Sequence, residues 1–188
     1  MKKYSLLICS LLIAGAGLFT SCKYEPSMEE TAIREAIAAQ KGEVSKFGLT
    51  AIEQIGEVTI GQEIGIRTDN FRLKYKKDSE FEQEYTRNRM ARKAEEKARA
   101  MARDLVHIAQ LDSIKAAIAD RLDEVAYREY KFSATCTTPE GKLELKDWYA
   151  AISPDGKVLS MVQDKSRLHS GLGVSIPGWK ELFATGEE

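Results

Sequence analysis

Two short stretches in the C-terminal third constrain the fold more than anything else in the chain. Thr138-Pro139-Glu140-Gly141-Lys142-Leu143 and Ser153-Pro154-Asp155-Gly156-Lys157-Val158 match position for position in residue type. Proline presets φ for a turn and glycine accepts positive φ, so each stretch reads as a hairpin connection. They predict three antiparallel strands, about 125–137, 142–152 and 157–163, arranged as a meander. In the first strand Ala126, Tyr130, Phe132, Ala134 and Cys136 share one face. That pattern makes Cys136 a core thiol rather than a nucleophile.

Upstream of the meander the apolar period changes. Ala32, Ile33, Ala36 and Ile37 recur at helical spacing within Glu29–Gln40, and Gly42 closes that helix. From Val44 to Ile55 the residues Phe47, Leu49, Ala51 and Ile55 alternate while Val44 and Ile52 fall out of phase, which reads as a bulged strand. Thr59 then caps a helical region with Ile60, Ile64, Phe71 and Tyr75 on one stripe, weakened at its start by Gly61 and Gly65. Ser79 and Glu82 have capping-box spacing, so a second long helix is expected to start there and run past Ile108 towards Leu122. Its stripe is mostly Ala and Met, and Arg87–Arg103 is strongly basic. Residues 163–188 are irregular and Gly-rich, with a short helix expected from Trp179 to Phe183. The sum is an α+β fold: an antiparallel sheet of about four strands, including the C-terminal three-stranded meander, packed with long helices in a single domain over 29–188.

The N-terminus carries a different message. Lys2 and Lys3 precede a charge-free run from Leu6 to Phe19. That run rises about 21 Å as a helix, short of the roughly 30 Å of a hydrocarbon core, so it suits a signal-peptide apolar region. It closes on Leu18-Phe19-Thr20-Ser21-Cys22, which resembles the lipobox of bacterial lipoproteins: a hydrophobic residue, two small residues and a cysteine. The resemblance implies a signal peptide over 1–21, lipidation of Cys22, and a lipidated tether over 22–28. Phe19 departs from the commoner Leu at its position. Two or more acyl chains would hold the protein stably on its membrane. Lys23, where inner-membrane lipoproteins carry Asp, implies the outer membrane, and Glu25, Glu29 and Glu30 look like the surface-export signal of Bacteroidetes lipoproteins. The whole resembles uncharacterised envelope lipoproteins of that phylum, and the membrane face stays open.

Composition narrows the partners. Loss of Lys2 and Lys3 with the leader takes 28 basic residues to 26 against 29 acidic ones. A nearly balanced charge argues against a nucleic-acid partner. Cys9 leaves with the leader and Cys22 takes lipid, so Cys136 has no partner for a disulfide.

The search for chemistry is short. The chain has 2 histidines, His107 and His169, and no HExxH, so neither a metal nor a cofactor is predicted. Gly173-Val174-Ser175-Ile176-Pro177 falls one residue short of a nucleophile elbow. Asp147, Asp155 and Asp164 sit near strand ends without defining a carboxylate pair. No catalytic residue is assigned. Trp148, Trp179 and His169 are the candidate binding residues: the tryptophans as stacking surfaces, the histidine as a loop residue. The expected function is a lipid-anchored envelope protein that acts by binding, an accessory subunit for another envelope protein. The alternative is an envelope hydrolase using carboxylates or the His169–Ser175 segment. A third reading is a ligand-binding module with Trp179 closing a pocket.

Overall fold

A computed structural model describes residues 25–170 and 172–179. The elements are α1 (Met28–Lys41), β1 (Ser45–Thr59), α2 (Ile60–Arg87), α3 (Ala91–Ala117), β2 (Val125–Thr138), β3 (Gly141–Ile152) and β4 (Val158–Val162), with 3-10 turns at Ala119–Arg121, Lys165–Arg167 and Leu172–Ser175. The strands form one antiparallel sheet in the order β1-β2-β3-β4. The α+β class and the meander are as expected, and β1 adds a fourth strand beside β2.

The matching turns close differently. Thr138 pairs with Gly141, leaving Pro139 and Glu140 as a two-residue connection, and Gly141 takes φ +121°. The second joins Ile152 to Val158 through a longer loop, in which Ser153 Oγ accepts from Lys157 N at 3.1 Å and Gly156 takes φ +80°. β1 is bulged as its mixed phase suggested, with register shifts at four places along β2, and it runs on to Thr59 rather than ending at Ile55. Such irregularity on an edge strand discourages pairing with other chains.

Each face of the sheet is covered by a different element. Side chains alternate across a strand, so Tyr130, Phe132, Ala134 and Cys136 of β2 meet Ile33 and Ile37 of α1 on one side. Tyr127 and Ala151 face the other way, against Ile64 of α2, Leu111 of α3 and Leu168, Leu172 and Ile176 of the C-terminal segment. Each of the buried Ile and Leu side chains contributes about 1.5–3 kcal/mol. Cys136 lies in the α1-side core, and burial pushes its thiol up, as a core cysteine should behave.

The two long helices divide elsewhere than expected. The Ser79/Glu82 spacing does not start a helix; α2 runs unbroken from Ile60 to Arg87, and the break comes at Asn88–Met90, where Arg89 takes φ +58°. Thr59 is the true cap: its Oγ1 accepts from Gln62 N, and Gln62 Oε1 accepts from Thr59 N at 2.9 Å, a complete capping box. Gly61, read from sequence as a weakness, is a point of close approach. A β-carbon there would stand 3.1 Å from the Leu122 carbonyl oxygen, which accepts from Gly61 N at 2.9 Å.

The helices form a hairpin arm. The first turns of α2, through Thr68, and the last turns of α3, from Leu111, bury side chains against the sheet layer, with half-buried Phe71 at the margin of that core. From Asp69 to Arg87 α2 extends roughly 28 Å at 1.5 Å per residue. Along that length the helices are joined by Lys74–Asp104 at 2.9 Å, Lys97–Asp78 at 2.7 Å and the rings of Phe71 and His107 at 4.8 Å.

Candidate functional site

The densest polar constellation lies where α2 leaves the sheet. Glu63 and Arg67 are one helical turn apart on the face of α2 that meets β2, and Arg67 Nε donates to Glu63 Oε1 at 2.5 Å. Tyr127, on the opposite parity of β2 from the α1-side core, donates its hydroxyl proton to Glu63 Oε2 at 2.7 Å. The C-terminal segment brings in His169. Its Nδ1 lies 3.0 Å from the Tyr127 hydroxyl oxygen, its Nε2 lies 3.1 Å from Glu129 Oε1, and its backbone carbonyl accepts from Arg67.

Glu63 and Tyr127 have no exposed surface, while the His169 side chain keeps 35% of its own. Burial, then the hydrogen bond to Glu63, holds the Tyr127 hydroxyl far above its ordinary range, so it stays protonated. Gly56 of β1 belongs to the same arrangement. A β-carbon there would stand 2.8 Å from Glu129 Oε2, so the glycine leaves room for the carboxylate that meets His169.

Chemically the cluster pairs a half-exposed imidazole with a carboxylate, the elements of a general acid–base. Ser175, the nucleophile candidate of this segment, is turned elsewhere: its Oγ donates to the Leu172 carbonyl at 2.9 Å, inside its own turn. Every partner named above is supplied from within the cluster, and the result is a clasp that fixes the C-terminal segment to β2 and to the root of α2. Asp147, Asp155 and Asp164 go to separate duties. Asp147 pairs with Lys131 at 2.8 Å, Asp155 accepts from Ser153 Oγ in its turn, and Asp164 caps the 3-10 turn by accepting from Ser166 N at 2.9 Å.

The other expected binding residues do not join His169 equally. Trp148 packs against the α1-side core and Trp179 against the core on the opposite face, so the two do not form one stacking platform. The helix expected over Trp179–Phe183 lies mostly outside the described residues, as does Cys22. His107 is half-buried on α3 against Phe71, and desolvation holds its imidazole below the ordinary range despite the opposing effect of Asp104. Among the described residues no group of three metal-ligating side chains converges, and no helix is long and apolar enough to cross a membrane.

The arm is a second site of different character. Leu73, Phe81, Leu105 and Val106 are each between 45% and 55% exposed on its surface. Arg92, Arg99 and Arg103, with Glu96 among them, line a shallow hollow of about 390 Å³ on α3. Comparison of the chain with protein-family models, with curated proteins and with solved structures gives no match.

Proposed function

We propose that this protein is a lipid-anchored component of the bacterial envelope that acts by binding another envelope protein, with the α2–α3 hairpin as its contact arm. The observation that carries the reading is the arm itself, which projects from the sheet layers with large apolar side chains in water. Scattered single apolar side chains are ordinary on a surface; four on one slender hairpin are a contact surface in waiting. The lipobox resemblance at Cys22 supports the anchor. Lys23 to Ser27 separate that cysteine from α1, and a chain of that length spans at most about 18 Å, which keeps the sheet layers close to the bilayer.

Two measurements test it. Labelled palmitate should enter the wild-type chain and not Cys22→Ala; incorporation into the variant removes the anchor. A photo-crosslinking residue at Leu105 should give discrete protein adducts in intact cells, and one at Thr50 on β1 should not. Equal adducts from both positions remove the arm from the reading.

The hydrolase alternative draws on the His169–Glu129 contact. Turnover of a glycan, peptide or ester by purified protein that disappears in His169→Ala would favour it over the binding reading.

A further inference from the structure

We infer that the outer face of α3 docks an amphipathic helix of a partner protein whose flank is acidic. This rests on the binding reading above and gives it a surface. α3 meets α2 through Ala94, Lys97 and Asp104. At 100° per residue, Ala98, Ala102, Leu105 and Ala109 fall within 60° of one another, a line that borders Ala94 at the seam and lies exposed along α3. Leu105 at 51% and Val106 at 55% are the most exposed large apolar residues of α3, and the three alanines beside them are exposed too.

A surface helix ordinarily gives its outward face to polar residues. Here an exposed face repeats apolar residues at intervals of four, three and four over roughly 17 Å, the spacing with which one helix seats against another. The short alanine side chains let a second helix approach, and Leu105 and Val106 supply the area to be covered.

The charges beside this line select the occupant. Arg92, Arg99 and Arg103 follow it along one edge. Arg99 touches Glu95 at 3.3 Å in an exposed pair, which is worth little in water. Among the described residues no carboxylate is paired with Arg92 or Arg103. Guanidinium groups in such a row suit the two-pronged geometry of carboxylates better than a single point charge would. Two copies of α3 laid antiparallel along this line would set arginine against arginine, which disfavours self-pairing.

The test uses the full mature chain and two labelled synthetic helical peptides that share one Leu/Ala heptad core. One is flanked by Glu, the other by Lys, and fluorescence anisotropy reads their binding. The Glu-flanked peptide should bind at least tenfold more tightly than the Lys-flanked one. Leu105→Lys should weaken it by at least tenfold, with an unchanged circular dichroism spectrum. Arg99→Glu with Arg103→Glu should reverse the preference between the peptides. Equal binding of the two peptides, binding of neither, or indifference to Leu105→Lys overturns the inference. So does a dimer in sedimentation that Leu105→Lys dissolves, which assigns the face to a second copy. Uptake by phosphatidylglycerol vesicles that the double charge reversal abolishes also overturns it, by assigning the arginines to lipid. If the peptides fail while crosslinking at Leu105 still gives protein adducts in cells, the binding reading stands and this partner chemistry falls.

Discussion

The sheet layers and the helical arm treat polar and apolar groups in opposite ways. Around the sheet, charged side chains are buried and matched: Glu63 with Arg67 and Tyr127, and Glu129 with His169. On the arm, large apolar side chains stand in water, and the buried carboxylate of Asp104 has Oδ1 on Lys74 but no partner for Oδ2 among the described residues. The arm's two helices are held by Lys–Asp bridges and by Lys93 and Lys97 over the rings of Tyr85 and Phe81 at 5.4 and 5.5 Å. The sheet region is complete in itself, whereas the arm is stable mainly through helix formation and cross-helix pairs. Regions with few buried apolar contacts open first.

The contrast is broken most directly at Glu63. Glu63→Ala leaves the Arg67 guanidinium buried without its carboxylate and should cost about 3–5 kcal/mol in urea unfolding. Asp78→Ala on the arm should cost about 1 kcal/mol or less, because Lys97 can turn to solvent. Equal losses would erase the distinction. Next in size is Tyr127→Phe. Loss of the hydroxyl removes the link between Glu63 and His169 and should cost about 1–3 kcal/mol, read by thermal unfolding. A smaller effect separates two glycines one turn apart at the arm's root. Gly65→Ala has open space and should stabilise by up to about 1 kcal/mol, while Gly61→Ala meets the Leu122 carbonyl and should destabilise.

The smallest effect concerns acid. A hydrogen bond from its own backbone N–H, and then the Ser27 and Tyr130 hydroxyls, hold Glu29 below its ordinary 4.5 against the opposing effect of burial. A carboxyl depressed in the folded state stabilises above its unfolded value and loses that contribution as pH falls through the folded one. Glu29→Gln should therefore flatten the fall in stability below about pH 4.5, by about 0.5 kcal/mol. An unchanged acid profile would show that α1 docks without this carboxylate.

What was legible from sequence tracks how local its cause was. The two Pro-and-Gly turns, the Thr59 cap and the alternation of β2 are set by neighbouring residues, and they hold, except that Ala126 at the start of β2 joins the core with Tyr127 rather than the face of Tyr130 to Cys136. Ser79 with Glu82 carries an equally local signal, yet inside a helix already running and flanked by α3 it is overridden. The true break at Asn88–Met90 has neither Gly nor Pro to announce it. The clasp was read only in part. His169 was singled out as a loop residue, but its partners lie 42 and 40 positions back in Tyr127 and Glu129, and Glu63 is further still. Two local hints were present: Glu63 and Arg67 at helical spacing near a helix start, and Tyr127 and Glu129 on the parity of β2 that the core reading left aside. Gly56 makes sense only once β1 lies beside Glu129.

The arm begins and ends at the same place. Thr59 pairs with Val125, Ile60 N donates to the Glu124 carbonyl and Gly61 N to the Leu122 carbonyl, both at 2.9 Å. The helical hairpin thus serves as one very long turn between neighbouring strands. Helices form in about a microsecond or less, so a hairpin assembled early would bring β1 and β2 together and convert a distant pairing into a nearby one. The same geometry frees the arm's length from the sheet. Matched turns deleted from both helices would shorten it in steps of about 5.4 Å and leave every strand in register, a fold in which span can be tuned by evolution or by design at no expense to the core.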